Sequence, residues 1–155
     1  MIKEGVKAPN IQLKNQFDEG INLKEFLGKK VVIYFYPKDH TPGCTKEAKG
    51  FAHLYSEIKA LGAQVIGISK DTVKSHENFA QKYDLPFFLL SDPDHTAANA
   101  YGVRKEKMLY GKTVMGTLRN IYIIDEQGFI EKIFEKVKPA EAAQLVVDYL
   151  QTEKA

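Results

Sequence analysis

Apolar residues recur along the chain with two different spacings, which predict alternating strands and helices. Residues 31–36 are apolar at every position, β-branched or aromatic, and Pro37 follows them, so they predict a strand buried on both faces. Between Phe51 and Leu61, apolar residues return at helical spacing and stop at Gly62, a residue that commonly ends helices. The pattern therefore predicts a central strand that leads into a long amphipathic helix.

This alternation continues to the end of the chain. A strand is predicted over residues 64–69, a helix over 73–83, a strand over 87–90 and a short helix over 95–101. Residues 118–124 and 129–134 flank the turn sequence Asp-Glu-Gln-Gly and predict a hairpin, and residues 142–150 predict a last helix. This order predicts an α/β fold with a mixed central sheet and helices on both faces. We expect residues 1–155 to form a single domain, because no linker-like tract divides them.

Composition and charge argue against several classes of protein. Hydrophobic residues make up 44% of the chain and charged residues 27%, which is typical of a globular protein. The 22 Lys and Arg residues nearly balance the 20 Asp and Glu residues without a concentrated basic stripe, so nucleic acid is a poor candidate for a partner. The apolar runs are too short for a membrane helix and the N-terminus lacks a signal-peptide pattern, so the expected location is the cytoplasm. The single cysteine, Cys44, excludes an intramolecular disulfide and agrees with a reducing compartment.

Cys44 lies in the stretch that is most informative about chemistry, residues 37–47. This stretch connects the predicted central strand to the long helix, so it falls at the edge of the sheet where open α/β folds place their sites. Thr41 is a suitable N-cap and Pro42 a suitable first helical residue, which puts Cys44 in the first turn of the helix. Helix N-termini favour the thiolate form of cysteine, so this position predicts an exposed and reactive sulfur. A small buried hydrophobe is the alternative that the residues alone leave open.

The same stretch resembles the active-site motif of a known family. Residues 34–45 read Tyr-Phe-Tyr-Pro-Lys-Asp-His-Thr-Pro-Gly-Cys-Thr and contain the Pro-x-x-x-Thr-x-x-Cys spacing of the peroxiredoxins. They are most similar to the peroxiredoxin Q group, also called the bacterioferritin comigratory protein group. Further matches extend along nearly the whole chain, among them Ala8-Pro9, Gly28-Lys29, Ser91-Asp92-Pro93, Tyr101-Gly102-Val103, Tyr110-Gly111-Lys112, Gly116-x-x-Arg119 and Ile124-Asp125. The resemblance implies a thioredoxin-like fold with an N-terminal extension.

It also implies a thiol-dependent peroxidase that reduces hydrogen peroxide and organic hydroperoxides without a metal or a bound redox cofactor. Cys44 would be the peroxidatic thiolate, Thr41 would hydrogen-bond the peroxide and the sulfur, and Pro37 would shield the pocket from water. Arg119 would hold the thiolate and steer the leaving oxygen, and Glu47 would orient Arg119. On the residues alone, Arg119 equally fits a surface cation, and Glu47 a favourable negative charge near the positive end of a helix.

One part of the family pattern is missing. Group members carry a resolving cysteine five residues after the peroxidatic one or in the following helix, and these positions are Lys49 and Ala80 here. The resemblance therefore implies a one-cysteine enzyme, monomeric when reduced, whose sulfenic acid needs an external thiol: thioredoxin, glutaredoxin or a low-molecular-weight thiol. Without reductant, the sulfenic acid is expected to oxidise further or to link two chains through Cys44. Residues 119–122, Arg-Asn-Ile-Tyr, also depart from the usual Arg-Ser-Thr-Phe.

Two other functions fit the sequence. Cys44 would act as a redox sensor that passes oxidation to a partner, or the domain would bind partners or unfolded chains and the motif would be structural only. The lysine-rich segment from Arg104 to Lys112 predicts an exposed loop, with a docking patch for an acidic reductase as the alternative. No two histidines have the i, i+4 spacing of a helical zinc pair, which makes a metal centre a poor interpretation of His40, His53, His76 and His95.

Overall fold

The structure is a computed structural model and describes residues 2–154. The elements in chain order are β1 (Gln12–Lys14), β2 (Gly20–Asn22), a 3-10 helix (Leu23–Phe26), β3 (Lys30–Phe35), α1 (Pro42–Ala60), β4 (Ala63–Ser69), α2 (Val73–Tyr83), β5 (Phe88–Ser91), α3 (Thr96–Ala100), β6 (Arg104–Leu109), β7 (Lys112–Thr117), β8 (Ile121–Ile124), β9 (Ile130–Phe134) and α4 (Ala142–Lys154). Among these helices, none combines the length and the hydropathy needed to cross a bilayer.

Seven of the strands form one mixed sheet in the order β2-β1-β5-β4-β3-β8-β9. Strands β3, β4 and β5 run parallel, and β8 lies antiparallel to β3 on the other side. The long connection through α1 is what allows β3 and β4 to run parallel, because parallel neighbours need a crossover. The predicted α/β fold with a mixed central sheet is therefore confirmed.

The central strand β3 has apolar side chains on both faces because each face packs against its own cluster. Val32 and Tyr34 point to a cluster that includes residues of α1, α2 and α4. Val31 and Ile33 point to a second cluster, which α3 and the N-terminal segment complete. Helices thus lie on both faces, as predicted, but the N-terminal extension provides much of the cover on the second face.

A short hairpin made of β1 and β2 joins the sheet beside β5, and the apolar pattern did not predict it. Each of its strands has only three residues, too few to show a period of two. Buried Gln16 fixes the segment: its side-chain amide donates to the carbonyl of Phe87 (3.0 Å) and accepts from the backbone N–H of Leu89 (2.9 Å). The Gln16 side chain thus makes two hydrogen bonds to the backbone at the start of β5, where the short strand β1 makes none.

Strands β6 and β7 form a separate two-stranded hairpin, so the prediction of an exposed loop from Arg104 to Lys112 was wrong about the backbone. Tyr110 and Gly111 make the turn with positive φ angles of 53° and 76°, the geometry of a tight primed hairpin turn. The strands were missed because polar residues occupy both faces and leave no alternating apolar side. The predicted exposure is correct, since most residues of this hairpin are exposed. The next strand, β8, begins at Ile121 rather than at residue 118.

Candidate active site

Cys44 lies in the first turn of α1, after Thr41 at the N-cap and Pro42 at the first helical position, as the sequence predicted. Its side chain is only 1% exposed, so the expectation of an exposed sulfur was wrong. The guanidinium of Arg119 reaches across this turn and passes so close to Gly43 that a Cβ there would lie 2.8 Å from Nη2. The first turn of a helix is usually open to solvent, and here Cys44 is packed into a buried cluster with the Arg119 side chain beside it.

Thr41 occupies the N-cap position but does not cap the helix with its side chain. Its hydroxyl donates instead to the carbonyl of Lys38 at 2.8 Å, which closes the loop before α1. The first backbone hydrogen bond of the helix runs from the N–H of Thr45 to the carbonyl of Thr41. With no side-chain oxygen of Thr41 on its first N–H groups, the helix N-terminus keeps its capacity to stabilise negative charge in this turn.

Arg119 brings the sulfur and a carboxylate together. Its Nη2 lies 3.4 Å from Sγ of Cys44, and its Nη1 lies 3.0 Å from Oε1 of Glu47. Glu47 follows Cys44 by three residues, so the two side chains share one face of α1. The backbone of Arg119 is held in turn, because the N–H of Val137 donates to its carbonyl at 2.9 Å. The structure therefore places three of the five predicted site residues in direct contact.

The electrostatics of this group follow from its burial. The side chain of Glu47 is fully buried, and burial raises the pKa of Glu47 from 4.5 to about 7, against the opposing effect of Arg119. Near neutral pH, the carboxyl therefore lies close to its titration midpoint. The side chain of Arg119 keeps 21% of its surface exposed, so this guanidinium is the one charged group of the set that water reaches.

Tyr34 forms the floor beneath the site. Its ring stacks on Phe51 with centroids 4.6 Å apart and lies flat over Gly67, where a Cβ would come within 2.9 Å of the ring. Burial, with the negative charge of Glu47 as the next contribution, raises the pKa of Tyr34 well above its usual 10, so the side chain is a neutral phenol. Within residues 2–154, its hydroxyl and Oε2 of Glu47 are the two buried side-chain oxygen atoms that have no hydrogen-bond partner.

A buried polar cluster that the sequence did not reveal anchors the loop before α1. Asp39, 2% exposed, accepts hydrogen bonds from the hydroxyls of Tyr36 (2.7 Å) and Ser75 (2.9 Å). Its backbone N–H donates to Oδ2 of Asp71 at 2.8 Å, and one of its oxygens lies 2.6 Å from Nδ1 of His76. These contacts tie the loop to α2 and fix the position from which Cys44 enters the helix. The spacing between residues 39 and 76 gives no local signal of this pairing.

The same cluster brings Asp39, Asp71 and His76 close enough to hold a metal ion, with one ligand atom of each within 4.8 Å of the others. Both ring nitrogens of His76 already have partners, because Nε2 lies 3.0 Å from the carbonyl of Leu90 and Nδ1 faces Asp39. A carbonyl only accepts, so Nε2 carries a proton, and Nδ1, the nitrogen that faces the carboxylates, is already in contact with Oδ2 of Asp39 at 2.6 Å. We interpret the cluster as a structural anchor.

The remaining predicted site residues flank the sulfur. Pro37 is half-buried and follows the central strand, and Thr41 is half-buried at the start of α1. At the two positions where relatives carry a resolving cysteine, Lys49 is exposed with its ammonium group 5.9 Å from the ring centroid of Tyr83, and Ala80 is buried in α2. The structure thus brings Cys44, Glu47 and Arg119 into contact and places Pro37 and Thr41 in the segment that leads into α1.

Comparison with known proteins identifies the family of this chain. Residues 5–133 match the AhpC/TSA family. A putative peroxiredoxin Bcp of Coxiella burnetii is 50% identical over 137 residues, covering 88% of this chain and 91% of that protein. Peroxiredoxin Bcp of Escherichia coli K12 is 41% identical over 150 residues, covering 97% and 96% of the two chains.

Solved structures give the same result. A structure of the bacterioferritin comigratory protein of Xanthomonas campestris, studied for its alkyl peroxide reduction activity, superposes with a TM-score of 0.92 at 36% identity and covers 99% of this chain and 100% of that one. Peroxidoxin BcpB of Mycobacterium tuberculosis has a TM-score of 0.88 at 30% identity, with both chains fully covered. The fold, the contact between Cys44 and Arg119 and these similarities together show that this chain belongs to the AhpC/TSA family and is a thiol-dependent peroxiredoxin of the Bcp/PrxQ group.

Proposed function

We propose that Cys44 is the peroxidatic residue of this peroxiredoxin. Its thiolate attacks the terminal oxygen of a hydroperoxide ROOH, a sulfur–oxygen bond forms and the O–O bond breaks. The leaving alkoxide takes up one proton to become ROH, and Cys44 is left as a sulfenic acid. The observation that carries this proposal is the 3.4 Å contact between Sγ and Nη2 of Arg119 at the N-terminus of α1.

Arg119 has two tasks in this proposal. Its cationic N–H groups stabilise the thiolate and then the negative charge that grows on the departing oxygen. The planar guanidinium can stabilise both charges while its Nη1 stays bonded to Glu47, and this bond fixes the orientation of its N–H groups. Glu47 is therefore a positioning residue: it acts through Arg119 and does not touch the peroxide.

Thr41 and Pro37 complete the site at its rim. In the structure the hydroxyl of Thr41 donates to the carbonyl of Lys38, so it offers its oxygen as an acceptor. A hydroperoxide has an O–H donor, which this oxygen is suited to accept as the peroxide lines up with the sulfur. Pro37 has no backbone N–H and presents an apolar ring, which limits the access of water to the thiolate.

The reductive half of the reaction requires a change of conformation. A sulfenic acid on a residue that is 1% exposed is out of reach of a thiol on another protein, so the first turn of α1 must unwind. Two features make that turn easy to open: Thr41 provides no side-chain cap, and Gly43 is the second residue of the helix. Unwinding also gives two chains the approach that a Cys44–Cys44 disulfide needs.

The single cysteine bears on how the enzyme is reduced and on where it works. With Lys49 and Ala80 at the positions of the resolving thiols, reduction uses an external thiol: thioredoxin, glutaredoxin or a low-molecular-weight thiol. A site that depends on such thiols fits the reducing cytoplasm. We take residues 1–155 as one domain, because the two packed clusters of the described residues share a single sheet, and as monomeric when reduced, which the resemblance to the peroxiredoxin Q group favours.

The experiment is a stopped-flow measurement of peroxide reduction by the reduced protein. The wild type should react far faster than a free thiol of matched ionisation, and Cys44→Ser should not react. Arg119→Ala should lose about 100-fold or more in rate, the usual cost of one donor to a developing oxyanion, and Arg119→Lys should not restore it. Arg104→Ala, the other arginine of the chain, is the matched control and should keep the wild-type rate.

The same experiment separates the alternatives. Rapid oxidation that no protein or small thiol reverses would favour a redox sensor over a peroxidase. A rate equal to that of the free thiol would favour a binding domain in which the motif is only structural. An unchanged rate in Arg119→Ala would remove Arg119 from the mechanism.

A further inference from the structure

The β6–β7 hairpin, residues 104–117, has a net positive charge that exceeds that of the whole chain. The chain has 22 Lys and Arg and 20 Asp and Glu residues, for a net charge of +2. The hairpin holds four of these cations and only one carboxylate, so the other residues are left with 18 cations and 19 carboxylates, a net charge of −1. Within the described residues, none of the four hairpin cations forms a salt bridge.

Exposed apolar side chains concentrate on the same hairpin. Seven large hydrophobic residues are exposed in the described part of the chain, and four of them lie here: Met108 at 68%, Leu109 at 48%, Tyr110 at 95% and Met115 at 50%. The hairpin forms its own two-stranded sheet, and no strand of the seven-stranded sheet pairs with it. Apolar surface left uncovered on a projecting element is typical of a contact surface for another molecule.

The register of the hairpin sorts these side chains onto its two faces. Lys105 pairs with Gly116, Lys107 with Val114 and Leu109 with Lys112, so all three lysines share one face. The carbon stem of Lys107 folds over Gly116, where a Cβ would lie 2.9 Å from Cε. Glu106, Met108 and Met115 belong to the opposite face, as the pairing of Glu106 with Met115 shows. One face thus carries the three lysines together with Val114 and Leu109, and the other carries the two methionines together with Arg104, Glu106 and Thr113.

The hairpin is rooted beside the proposed catalytic centre. Strand β7 ends at Thr117, two residues before Arg119, whose guanidinium contacts Sγ of Cys44. A backbone hydrogen bond from Leu118 to the carbonyl of Val103 closes its base at 2.8 Å. Six residues per strand give an arm of about 20 Å, long enough to contact a protein that approaches the first turn of α1.

We propose that this hairpin is the docking arm for an acidic dithiol reductase that regenerates Cys44. The inference rests on the proposed function of Cys44. One thiol of the reductase attacks the Cys44 sulfenic acid, forms a mixed disulfide and releases water. The second thiol then attacks the sulfur of its own chain, which frees Cys44 as a thiol and leaves the reductase with an internal disulfide.

Charge complementarity favours this partner over a second copy of the chain. Two basic arms repel each other, and the surface outside the arm has a net charge of only −1 to attract one. A reductase with a negative surface would bind the arm in two ways. The lysines attract it over a distance, and the methionines and Tyr110 provide an apolar contact surface.

The test compares two reductants at low and high salt. The arm variant is Lys105→Glu/Lys107→Glu/Lys112→Glu. Its matched control is Lys7→Glu/Lys24→Glu/Lys29→Glu, the same charge change at the opposite end of the sheet, around the first residues of β3. Turnover of peroxide is followed with dithiothreitol and with purified thioredoxin-type and glutaredoxin-type reductases, and the faster of the two proteins is used for the comparison.

The arm variant should lose at least about 10-fold in kcat/KM for the protein reductase at low salt, and high salt should shrink the difference. Its rate with dithiothreitol should equal that of the wild type, and the control variant should stay within about twofold with both reductants. An equal loss with both reductants, no loss with either, or salt-dependent self-association through the arm would overturn the proposal. The proposal would also be overturned if dithiothreitol supports turnover and neither protein reductase does. If Cys44 is never oxidised by peroxide, the proposed function itself fails, which is a different result from all of these.

Discussion

Replacing Glu47 by Gln tests how the buried carboxylate and Arg119 depend on each other. The carboxyl is fully buried, and only one of its oxygens has a partner, the 3.0 Å bond from Nη1 of Arg119. A Gln side chain has nearly the same shape, keeps an oxygen that accepts this bond, and removes the charge. The substitution therefore isolates the cost of ionising this group inside the protein.

The magnitude follows from the two pKa values. In the unfolded chain Glu47 titrates near 4.5, and burial raises its pKa in the folded protein to about 7. Between these values the folded state binds a proton that the unfolded state has lost, so this group lowers the free energy of unfolding as pH rises. At about 1.4 kcal/mol for each pKa unit, the loss amounts to about 3 kcal/mol by the time both states are ionised.

The assay is urea denaturation of the reduced protein at about pH 5 and about pH 8. We expect the free energy of unfolding of Glu47→Gln minus that of the wild type to increase by about 2.5 kcal/mol between the two conditions, because part of the change lies below pH 5. Glu57→Gln, an exposed glutamate on the same helix, corrects for the loss of one negative charge. A difference between Glu47→Gln and the wild type that does not change with pH would refute the reasoning, because it would mean that Glu47 is already ionised well below pH 7 in the folded protein.

Three further substitutions probe the packing and opening of the site. Gly67→Ala should destabilise the protein by about 1–3 kcal/mol in denaturant, because the new Cβ would come within 2.9 Å of the Tyr34 ring. Gly43→Ala should slow peroxide reduction about 10-fold, because the new Cβ would lie 2.8 Å from Nη2 of Arg119 and displace the guanidinium from the sulfur; a normal rate would contradict the contact. Lys49→Cys should form an intramolecular disulfide after oxidation, seen as a mass loss of two hydrogens, because unwinding of α1 lets the two sulfurs meet; persistence of a sulfenic acid would argue that the first turns stay helical.

The central part of the fold was predictable from the sequence because its apolar pattern is strong. The central strand and the strand that begins at Ile121 are continuous apolar runs, and the helix that carries Cys44 has apolar residues at helical spacing. The N-terminal hairpin was not predictable, because its strands are three residues long and a long-range contact of Gln16 holds them. The arm at residues 104–117 was missed for another reason: it buries neither face, so no period marks it.

The site could be predicted only in part. A motif of local spacing located Cys44 and Thr41, and a resemblance over the whole chain was needed to add Arg119, which lies 75 residues away. No sequence rule predicted that the sulfur would be buried, because the residues that pack around it come from distant parts of the chain. The anchor between Asp39 and His76 was equally invisible, since its members are 37 residues apart and each is common on protein surfaces.

Intact-mass analysis of the reduced protein after one equivalent of hydrogen peroxide tests the central claim most directly. Cys44 is the only cysteine, so its oxidation state is read from the mass of the whole chain. The peroxidase mechanism predicts a chain carrying one added oxygen, or a reducible dimer linked through Cys44, and a return to the starting mass when a thiol is added. If peroxide disappears while the chain keeps its original mass throughout, Cys44 is not the site of the chemistry.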